Sequence, residues 1–422
     1  MAKRHDAEPD RRGRASGPRR GARDRIVGLR RVRAGDLAPN PANWRRHPDR
    51  QRRALRALLR EVGYADALLA RETDDGSLVL FDGHLRQSLD PDQIVPVLVT
   101  DLSEAEAEKL LVTLDPLAGL AEPDPAALEP LLGRVQTSSA AVRELLEDLA
   151  RAAKLPLRLG LTDPEEIPPV PAAPRTRPGD LWGLGSHRLL CADATDKEAL
   201  ERLLEDARAD VLWTDPPYGV DYTGKTQRAL RIANDHRDGL SSLLRRSFAA
   251  ADGVLRPGAA IYVCHPAGPL SVRFASAFLD VGWELRQTLV WVKDAMVLGH
   301  GDYHYRHEPI LYGSKPGPGR WGRGHTGWYG GNAETSVLEI SRPRASREHP
   351  TAKPVELVRR LLQNSSAEDD AILDPFLGSG TTLIASEQLR RRCLGIELDP
   401  AYVDVAIARW EAFTGTKARR LS

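Results

Sequence analysis

The pattern of apolar and polar positions divides the chain into two unequal parts. In the first part, apolar runs typical of strands, such as LVLF and IVPVLV, alternate with the helical spacing of DRQRRALRALLREVG. Ser103 with Glu106 three residues later forms the capping box that precedes a helix. These features predict a small α+β domain over residues 26–120 and a helical extension over residues 121–161.

The second part, over residues 179–414, alternates short apolar strands with amphipathic helices. The strand candidates include ADVLWT, AAIYVCH, DAILD and RCLGIELD. This alternation with short loops predicts an α/β fold with a mostly parallel central sheet, whose ligands bind at the carboxyl ends of the strands. Residues 162–178 contain six prolines and no periodicity. They predict a semi-rigid linker, and the domain boundary is expected there.

Composition and charge indicate a soluble globular protein with more than one domain. The chain has 422 residues, 41% hydrophobic residues and a formal net charge of +1, so its overall charge does not favour a polyanionic partner. Residues 1–34 nevertheless hold twelve basic and four acidic residues. The disordered basic tail expected over residues 1–25 would therefore either attract phosphates or simply be solvated.

Membrane, secretory and metal-binding classes are not indicated. No apolar run is long enough to span a membrane, and no apolar core follows the basic N-terminus. Cys191, Cys264 and Cys393 lie far apart and fit neither zinc-ligand spacing nor a disulfide framework. We therefore predict a cytoplasmic protein without a metal.

The loop after the strand ADVLWT holds unusual chemistry. Asp215, Pro216, Pro217 and Tyr218 place a carboxylate, a rigid carbonyl and a flat ring at the carboxyl end of that strand. Two prolines cannot continue a sheet because they lack N–H groups. The sequence predicts a stiff loop that presents these groups to a ligand, with a plain strand-ending turn as the alternative.

A second loop at a strand end is rich in glycine. LDPFLGSGTT includes Asp374, Phe376, Gly378 and Gly380, and its glycines let a ligand approach the backbone. The loop lacks the Gly-Lys-Ser/Thr of a Walker site and the third glycine of a dinucleotide fingerprint. Two interpretations of this loop remain: it binds a nucleoside that carries no phosphates, or it is only a tight turn. Glu397, at the end of the next strand, suits acceptance from ribose hydroxyls.

Together the two loops resemble those of the S-adenosyl-L-methionine-dependent amino-methyltransferases of DNA. TDPPYG resembles the catalytic motif, and DPFLGSGTT resembles the cofactor loop. HPTAKPVELVRRLL, which begins at His349, resembles the segment before that loop in the permuted beta subgroup. Ala352 departs from the glutamine of many relatives. The resemblance covers about residues 178–414 and implies a Rossmann-like methyltransferase domain over residues 179–414.

The resemblance also implies a mechanism in which the target base is flipped out of the duplex. Asp215 and the carbonyl of Pro216 would accept the hydrogens of the exocyclic amine, Pro217 would keep that carbonyl still, and Tyr218 would stack on the base. Aspartate at the first motif position favours adenine N6, because serine is commoner in the cytosine-N4 enzymes. Cytosine N4 stays as the alternative.

A set of cofactor-binding residues follows from the same resemblance. The set comprises Asp193, Thr351, Lys353, Asp374, Phe376, Gly378, Gly380 and Glu397. Asp193 would lie near the adenine of the cofactor, or would only cap the following helix. Thr351 and Lys353 would approach the methionine part, with a solvated surface charge as the alternative for Lys353. Phe376 would pack beside the adenosine, or would be a core aromatic.

The subgroup places target recognition in an insert that corresponds here to about residues 316–348. Arginines and aromatic residues among glycines suit phosphate contact, base stacking and guanine readout. The candidates for DNA binding are Arg320, Trp321, Arg323, Trp328, Arg342 and Arg344. An ordinary surface loop is the alternative, and residues 221–238 are a second candidate segment.

The first part of the chain resembles the ParB-like nucleotide-binding domain of chromosome-partition proteins, which sulfiredoxin shares. The matching residues are Asp82, Gly83, His84 and Arg86. The sulfiredoxin cysteine is missing and the arginine-rich partition motif is reduced, so neither activity is expected. Phosphate binding and a degenerate structural role both remain open, and the resemblance implies an accessory DNA-targeting module.

These resemblances imply double-stranded DNA as the partner and S-adenosyl-L-methionine as the cofactor. A non-catalytic, partition-type DNA-binding protein is one alternative, and a methyltransferase of RNA or protein is another. The sequence leaves open the target site, a homodimer and a restriction enzyme partner.

Overall fold

The computed structural model describes residues 23–135, 137–153, 155, 157–219, 238–297, 302–318, 327–342 and 352–422. The predicted basic tail lies almost entirely outside these residues. The chain divides into two compact units, of which the first ends at Glu122 and the second begins at Pro123. Each unit has a sheet of its own.

The described part of the first unit is a four-stranded mixed sheet with three α-helices, which matches the α+β pattern predicted for this part. Its strands are β1 (Ile26–Arg33), β2 (Leu68–Glu72), β3 (Leu78–Asp82) and β4 (Ile94–Thr100), in the spatial order β1-β4-β2-β3. Its helices are α1 (Asp49–Glu61), α2 (His84–Leu89) and α3 (Glu104–Ala118). The predicted capping box of Ser103 and Glu106 is present at the start of α3.

The second unit begins with helices and continues as an alternating α/β structure. Its helices are α4 (Pro125–Leu132), α5 (Ala140–Ala152), α6 (Lys197–Leu204), α7 (Leu240–Val254), α8 (Ser271–Asp280), α9 (Val355–Ser365), α10 (Thr381–Leu389) and α11 (Pro400–Thr414). Its strands are β5 (Leu181–Leu184), β6 (His187–Cys191), β7 (Ala209–Thr214), β8 (Leu255–Cys264), β9 (Glu284–Val297), β10 (Tyr305–Ser314), β11 (Val337–Glu339), β12 (Ala371–Asp374), β13 (Arg392–Glu397) and β14 (Arg419–Arg420). Among the helices described in either unit, none is both long and apolar enough to cross a membrane.

The ten strands that lie within the described residues of the second unit form one sheet in the order β11-β9-β10-β8-β7-β12-β13-β6-β5-β14. The five central strands, from β8 to β6, run parallel, and antiparallel pairs extend the sheet on both sides. The side chains of β7 point alternately to the two faces of the sheet. Val211 and Trp213 pack with α9, α10 and α11 on one face, and Leu212 packs with α6, α7 and α8 on the other. The central strands of the sheet are therefore buried on both faces.

The boundary between the units lies at residues 122 and 123, and not in the proline-rich segment where it was expected. Residues 157–178, which we call the strap, are held along the second unit. Leu161 N–H donates to the carbonyl of Phe413 at 2.7 Å, and Thr176 Oγ1 donates to Asp404 at 2.5 Å. The prolines keep this segment extended, but several of its polar groups find partners on α9, α10 and α11, so it is part of the domain and does not act as a free linker.

Candidate active site

The two loops singled out in the sequence emerge side by side. Strands β7 and β12 are parallel neighbours, and Leu212 is paired with Leu373. Asp215 follows β7, and Asp374 ends β12, so both carboxyl groups lie at the same edge of the sheet. This is the juxtaposition that a shared site for two reactants requires.

Asp215 lies within a network of side-chain hydrogen bonds. Its Oδ2 accepts from Lys353 Nζ at 2.6 Å, and its Oδ1 lies 2.9 Å from the hydroxyl oxygen of Tyr218. Lys353 also lies over the ring of Tyr218, with Nζ 5.2 Å from the ring centroid. Phe274 of α8 packs edge-on against that ring, with 5.9 Å between centroids. Lys353 is 7% exposed, so it is not the solvated surface charge considered as its alternative.

The sequence analysis missed two further members of this network. Glu308 on β10 accepts from Lys293 Nζ on the adjacent strand β9 at 2.8 Å. Its other oxygen lies 2.8 Å from Lys353 Nζ and accepts from the Tyr218 hydroxyl at 2.5 Å. Both residues lie within runs interpreted only as strands. The signal that could have found them is a glutamate directly before the apolar run PILY and a lysine directly after the apolar run LVWV.

Burial and opposite charges set the ionisation of this network. Burial raises the pKa of Asp215 above its usual value, although the ammonium group of Lys353 opposes the shift. Burial also favours the neutral form of Glu308, but Lys353 and Lys293 together lower its pKa to about 2. Burial alone would lower the pKa of Lys353, whereas the carboxylates of Asp215 and Glu308 raise it. Positive and negative side chains therefore alternate from Lys293 to Asp215.

The glycine loop leaves room for a ligand, and hydrogen bonds to Asp374 fix its conformation. Asp374 accepts from Thr382 Oγ1 at 2.6 Å and from the N–H of Phe376 at 3.0 Å, and burial raises its pKa to about 7. Gly378 has φ +56°, and a Cβ there would project into open space. Gly380 has φ +87°, and its Cβ would lie 3.0 Å from that of Ala406 on α11. The first glycine thus faces free volume, while the second is required for packing.

Glu397 at the end of β13 positions this loop. One of its oxygens accepts the N–H of Gly378 at 2.8 Å, and the other accepts the N–H of Asp399 at 2.8 Å. Burial raises the pKa of its carboxyl group. Each carboxylate oxygen keeps a further lone pair, so Glu397 can still accept a ligand hydroxyl.

Asp193 and Phe376 border the same edge of the sheet. The N–H of Ala192 donates to the carbonyl of Glu397 at 3.1 Å, which places the exposed Asp193 beside the end of β13. Asp193 accepts from Thr195 N–H, whereas Asp196 caps α6, so the capping alternative for Asp193 is wrong. Phe376 is only half-buried and is not a core aromatic. Thr351 lies outside the described residues.

The predicted recognition insert is described only in part. Arg320, Trp321, Arg323, Arg344 and the segment 221–237 lie outside the described residues. Trp328 is half-buried and lies beside Gly330, and Arg342 pairs with Asp294 at 3.6 Å. Residues 337–339 form β11, which pairs in parallel with β9 and buries Leu338, so the end of this insert is part of the sheet.

The motif in the first unit borders a cavity of about 420 Å³ within that unit. Gly83 has φ +96° at the start of α2, and a Cβ there would lie 2.6 Å from Leu68 Cγ, so glycine is required for packing. Arg86 pairs with Asp66 at 2.7 Å and with Asp82 at 2.9 Å. His84 accepts the N–H of Asn40 at 3.2 Å. The positive charge that Arg86 presents to the cavity is thus already neutralised.

The second unit is similar to known enzymes. Residues 209–408 match the family model of the N6 and N4 methyltransferases, described as DNA methylase. The type II methyltransferase M.HpaI from Haemophilus parainfluenzae is 29% identical over 244 residues, covering 54% of this chain and 74% of the relative. The type II methyltransferase M.BglII from Bacillus subtilis is 25% identical over 236 residues, covering 48% of this chain and 64% of the relative.

Among solved structures, the crystal structure of the M1.HpyAVI–SAM complex aligns with a TM-score of 0.41 and 23% identity. It covers 52% of this chain and 97% of that chain. All three alignments leave a large share of this chain uncovered. The chain spans about three quarters of the length of M.HpaI and just under two thirds of that of M.BglII.

Proposed function

We propose that this chain, which is a DNA methyltransferase of the N6/N4 family over residues 209–408, methylates the N6 amine of adenine in double-stranded DNA. The observation that best supports the proposal is the position of Asp215. Its carboxylate follows β7 and therefore lies one strand away from the glycine loop that follows β12. Acceptor and methyl donor would meet across two neighbouring strand ends.

The cofactor is S-adenosyl-L-methionine, which supplies an electrophilic methyl group on a sulfonium. The open space at Gly378 and the remaining lone pairs of Glu397 fit its adenosine part. Asp193 and Phe376, at the same edge, would border the adenine ring. Asp374 holds the loop through Thr382 and the N–H of Phe376, and we expect it to act by shaping the loop.

The residues after β7 would activate the amine. The lone pair of an exocyclic amine is delocalised into the ring, and two acceptors on its hydrogens free that lone pair for attack. A carboxylate has about four acceptor positions, and two of those of Asp215 face Lys353 Nζ and the hydroxyl of Tyr218. One remaining position can accept from the base, with the carbonyl of Pro216 as the second acceptor and Pro217 keeping it rigid.

The choice of adenine depends on the first residue of this motif. Aspartate at position 215 favours adenine N6, whereas serine is commoner in the cytosine-N4 enzymes that the resemblance includes. Cytosine N4 is the alternative target, and the identity of the modified base decides between them.

For the contact with DNA, we propose the insert between β10 and α9. The exposed Arg342 lies beside Asp294, and the exposed Tyr329 offers a ring to a base. Arg320, Trp321, Arg323 and Arg344 would add charge and stacking surfaces, while Trp328 would support the insert from below. Salt dependence of DNA binding would report how many phosphates these arginines contact.

For the first unit, we propose an accessory role in DNA targeting, on the basis of its ParB-like motif. The pairing of Arg86 with Asp66 and Asp82 favours a structural role of the motif over phosphate binding in this cavity. Loss of target preference after removal of residues 1–122, with catalysis retained, would support the targeting role.

The function is tested by methyl transfer from labelled S-adenosyl-L-methionine to unmethylated double-stranded DNA, followed by digestion and identification of the modified nucleoside. We expect N6-methyladenine with the wild-type chain. Asp215→Ala should abolish transfer while the Kd for the cofactor stays unchanged, and the exposed control Asp206→Ala should behave as wild type. Full transfer by Asp215→Ala, or no transfer to any DNA by the wild type, would refute the proposal.

A further inference from the structure

The hydroxyl of Tyr218 has one proton and two carboxylate neighbours. It lies 2.5 Å from Glu308 Oε1 and 2.9 Å from Asp215 Oδ1. One proton cannot be donated fully to both oxygens. The shorter contact is to Glu308, which also stays ionised more readily because two ammonium groups surround it. The phenol proton therefore points to Glu308, and the phenol oxygen keeps its lone pairs toward Asp215.

Glu308 itself is fixed by the sheet. It pairs across the strands with Trp291, and Lys293, two residues further along β9, reaches its Oε2 at 2.8 Å. Lys293 also lies 4.8 Å from the centroid of the Trp291 ring. The side chains of Glu308 and Lys293 are only 12% and 13% exposed. A buried ion pair of this kind does not by itself indicate a gain in stability, so its position beside Asp215 calls for another explanation.

We propose that Glu308, held by Lys293, is a positioning residue that binds the phenol proton of Tyr218 and shares the ammonium group of Lys353, so that Asp215 remains free to accept from the base. This inference rests on the proposed function, because it assigns a role relative to Asp215. Without Glu308, both the phenol and Lys353 would donate fully to Asp215 and would compete with the amine for its lone pairs.

The same arrangement provides a destination for the proton that the reaction releases. When the amine nitrogen forms its bond to the methyl carbon, the bond between that carbon and the sulfonium sulfur breaks and its electron pair stays on the sulfur. One N–H bond of the amine also breaks, and its proton forms an O–H bond on Asp215. Protonated Asp215 can donate to the phenol oxygen of Tyr218, because the phenol proton already points to Glu308. The proton finally passes to water when the product leaves, and the network returns to its starting state.

The alternative is that Glu308 and Lys293 only complete the interior of the sheet. The charged and titratable groups around Asp215 and Glu308 are Tyr218, Cys264, His265, Lys293, Lys353 and Asp374. Because Glu308 is an anion near Asp215 and Lys293 is a cation, the two roles differ in what they predict for pH dependence. Removing the anion should lower the pKa of Asp215, and removing the cation should raise it.

The test uses the full chain and measures kcat, KM for DNA, the Kd for S-adenosyl-L-methionine and the pH profile of kcat. Glu308→Gln should lower kcat at least about tenfold, with the cofactor Kd unchanged, and should move the acidic limb of the profile to lower pH. Lys293→Met should also lower kcat but should move that limb to higher pH. Lys315→Met removes a comparable ion pair, with Asp252 at 3.1 Å, and should leave both quantities unchanged.

Opposite displacements of the acidic limb would establish the inference, because loss of packing alone would not produce them. Wild-type kcat and an unmoved limb in Glu308→Gln would overturn it, and so would a loss of cofactor binding. If Glu308→Gln does not fold, the displacement of the acidic limb of the pH profile in Lys293→Met tests the inference alone. A shift to higher pH supports it, and an unmoved limb overturns it. Activity of Asp215→Ala would instead indicate that the proposed function has failed, independently of Glu308.

Discussion

Lys353 Nζ lies 2.6 Å from Asp215 Oδ2, although 138 positions separate the two residues in the chain. Lys353 precedes α9 and Asp215 follows β7, so the pair joins the segment before α9 to the loop after β7. Lys353 lies 2.8 Å from Glu308 as well. One buried ammonium group therefore neutralises two carboxylates that would otherwise repel each other.

The first prediction concerns this ammonium group. In Lys353→Met, burial and the charge of Glu308 act on Asp215 without the cation that contacts it, so the pKa of Asp215 should rise further. Methyl transfer near neutral pH should fall at least about tenfold, which corresponds to one pKa unit, and should recover in part at higher pH. The pH profile of kcat measures this.

Lys197→Met is the control for Lys353→Met, since Lys197 is exposed and faces Glu201 at 3.7 Å on α6. It should leave the profile unchanged. A Lys353→Met enzyme with the wild-type profile would mean that Lys353 does not set the ionisation of Asp215.

The second prediction separates the two glycines of the cofactor loop. Gly378→Ala should weaken binding of S-adenosyl-L-methionine at least about tenfold, because its Cβ would enter the open space that the cofactor needs. The left-handed conformation, φ +56°, would add a cost of only about 1 kcal/mol to folding. Calorimetric titration and thermal denaturation measure the two effects.

Gly380→Ala should reduce the stability of the fold more than the affinity for the cofactor. Its Cβ would press on Ala406 at 3.0 Å and would sit at φ +87°, so the free energy of unfolding should fall by about 1–3 kcal/mol. Equal effects of the two substitutions on cofactor affinity would contradict the assignment of Gly378 to the cofactor side.

Local patterns predicted much of this fold and part of the site. Apolar runs and capping signals depend on neighbours in sequence, and they identified β7, β12 and the capping box at Ser103. The rule that parallel strands open at the same edge placed Asp215 near the glycine loop. The pairing of Leu212 with Leu373 confirmed that expectation.

What the sequence could not predict depends on contacts between distant segments. Glu308 and Lys293 are ordinary strand residues until β9 and β10 bring them beneath Asp215. The strap has the composition of a linker because it is rich in proline. Composition does not reveal that the hydroxyl of Thr176 donates a hydrogen bond to Asp404. The expected boundary was misplaced for that reason.

The third prediction follows from a carboxyl group in the strap. Glu165 accepts the N–H of Val355 at the start of α9 at 2.7 Å, and burial raises its pKa to about 7. The folded chain therefore holds a proton that the unfolded chain releases near pH 4.5. This contribution to stability is fully present below pH 4.5 and is lost as the pH rises to about 7.

Glu165→Gln keeps the acceptor for Val355 and removes the titration. The decrease in Tm between pH 5.5 and pH 8 should be smaller in the variant than in the wild type. Glu166→Gln, at the exposed neighbouring position, should keep the wild-type decrease. An identical pH dependence in Glu165→Gln and wild type would show that this carboxyl group titrates normally.

The fourth prediction tests where the catalytic unit begins. Arg409 of α11 is buried and donates to the carbonyl of Pro164 in the strap at 2.6 Å and to that of Ser379 in the cofactor loop at 3.1 Å. Asp404 is buried and accepts from Thr176 and from the N–H of Arg175. Removal of the strap would leave the Asp404 carboxylate without these partners and Arg409 without one of its two carbonyl acceptors, and an unpaired buried charge costs about 3–5 kcal/mol. A fragment of residues 123–422 should therefore unfold cooperatively and bind S-adenosyl-L-methionine. A fragment of residues 179–422 should melt at a much lower temperature and bind the cofactor weakly.

A fragment of residues 157–422 is the control, because it keeps the strap and lacks α4 and α5. It should keep most of the cofactor affinity. Equal stability and affinity of the fragments that begin at 123 and 179 would show that the strap contributes nothing to the site.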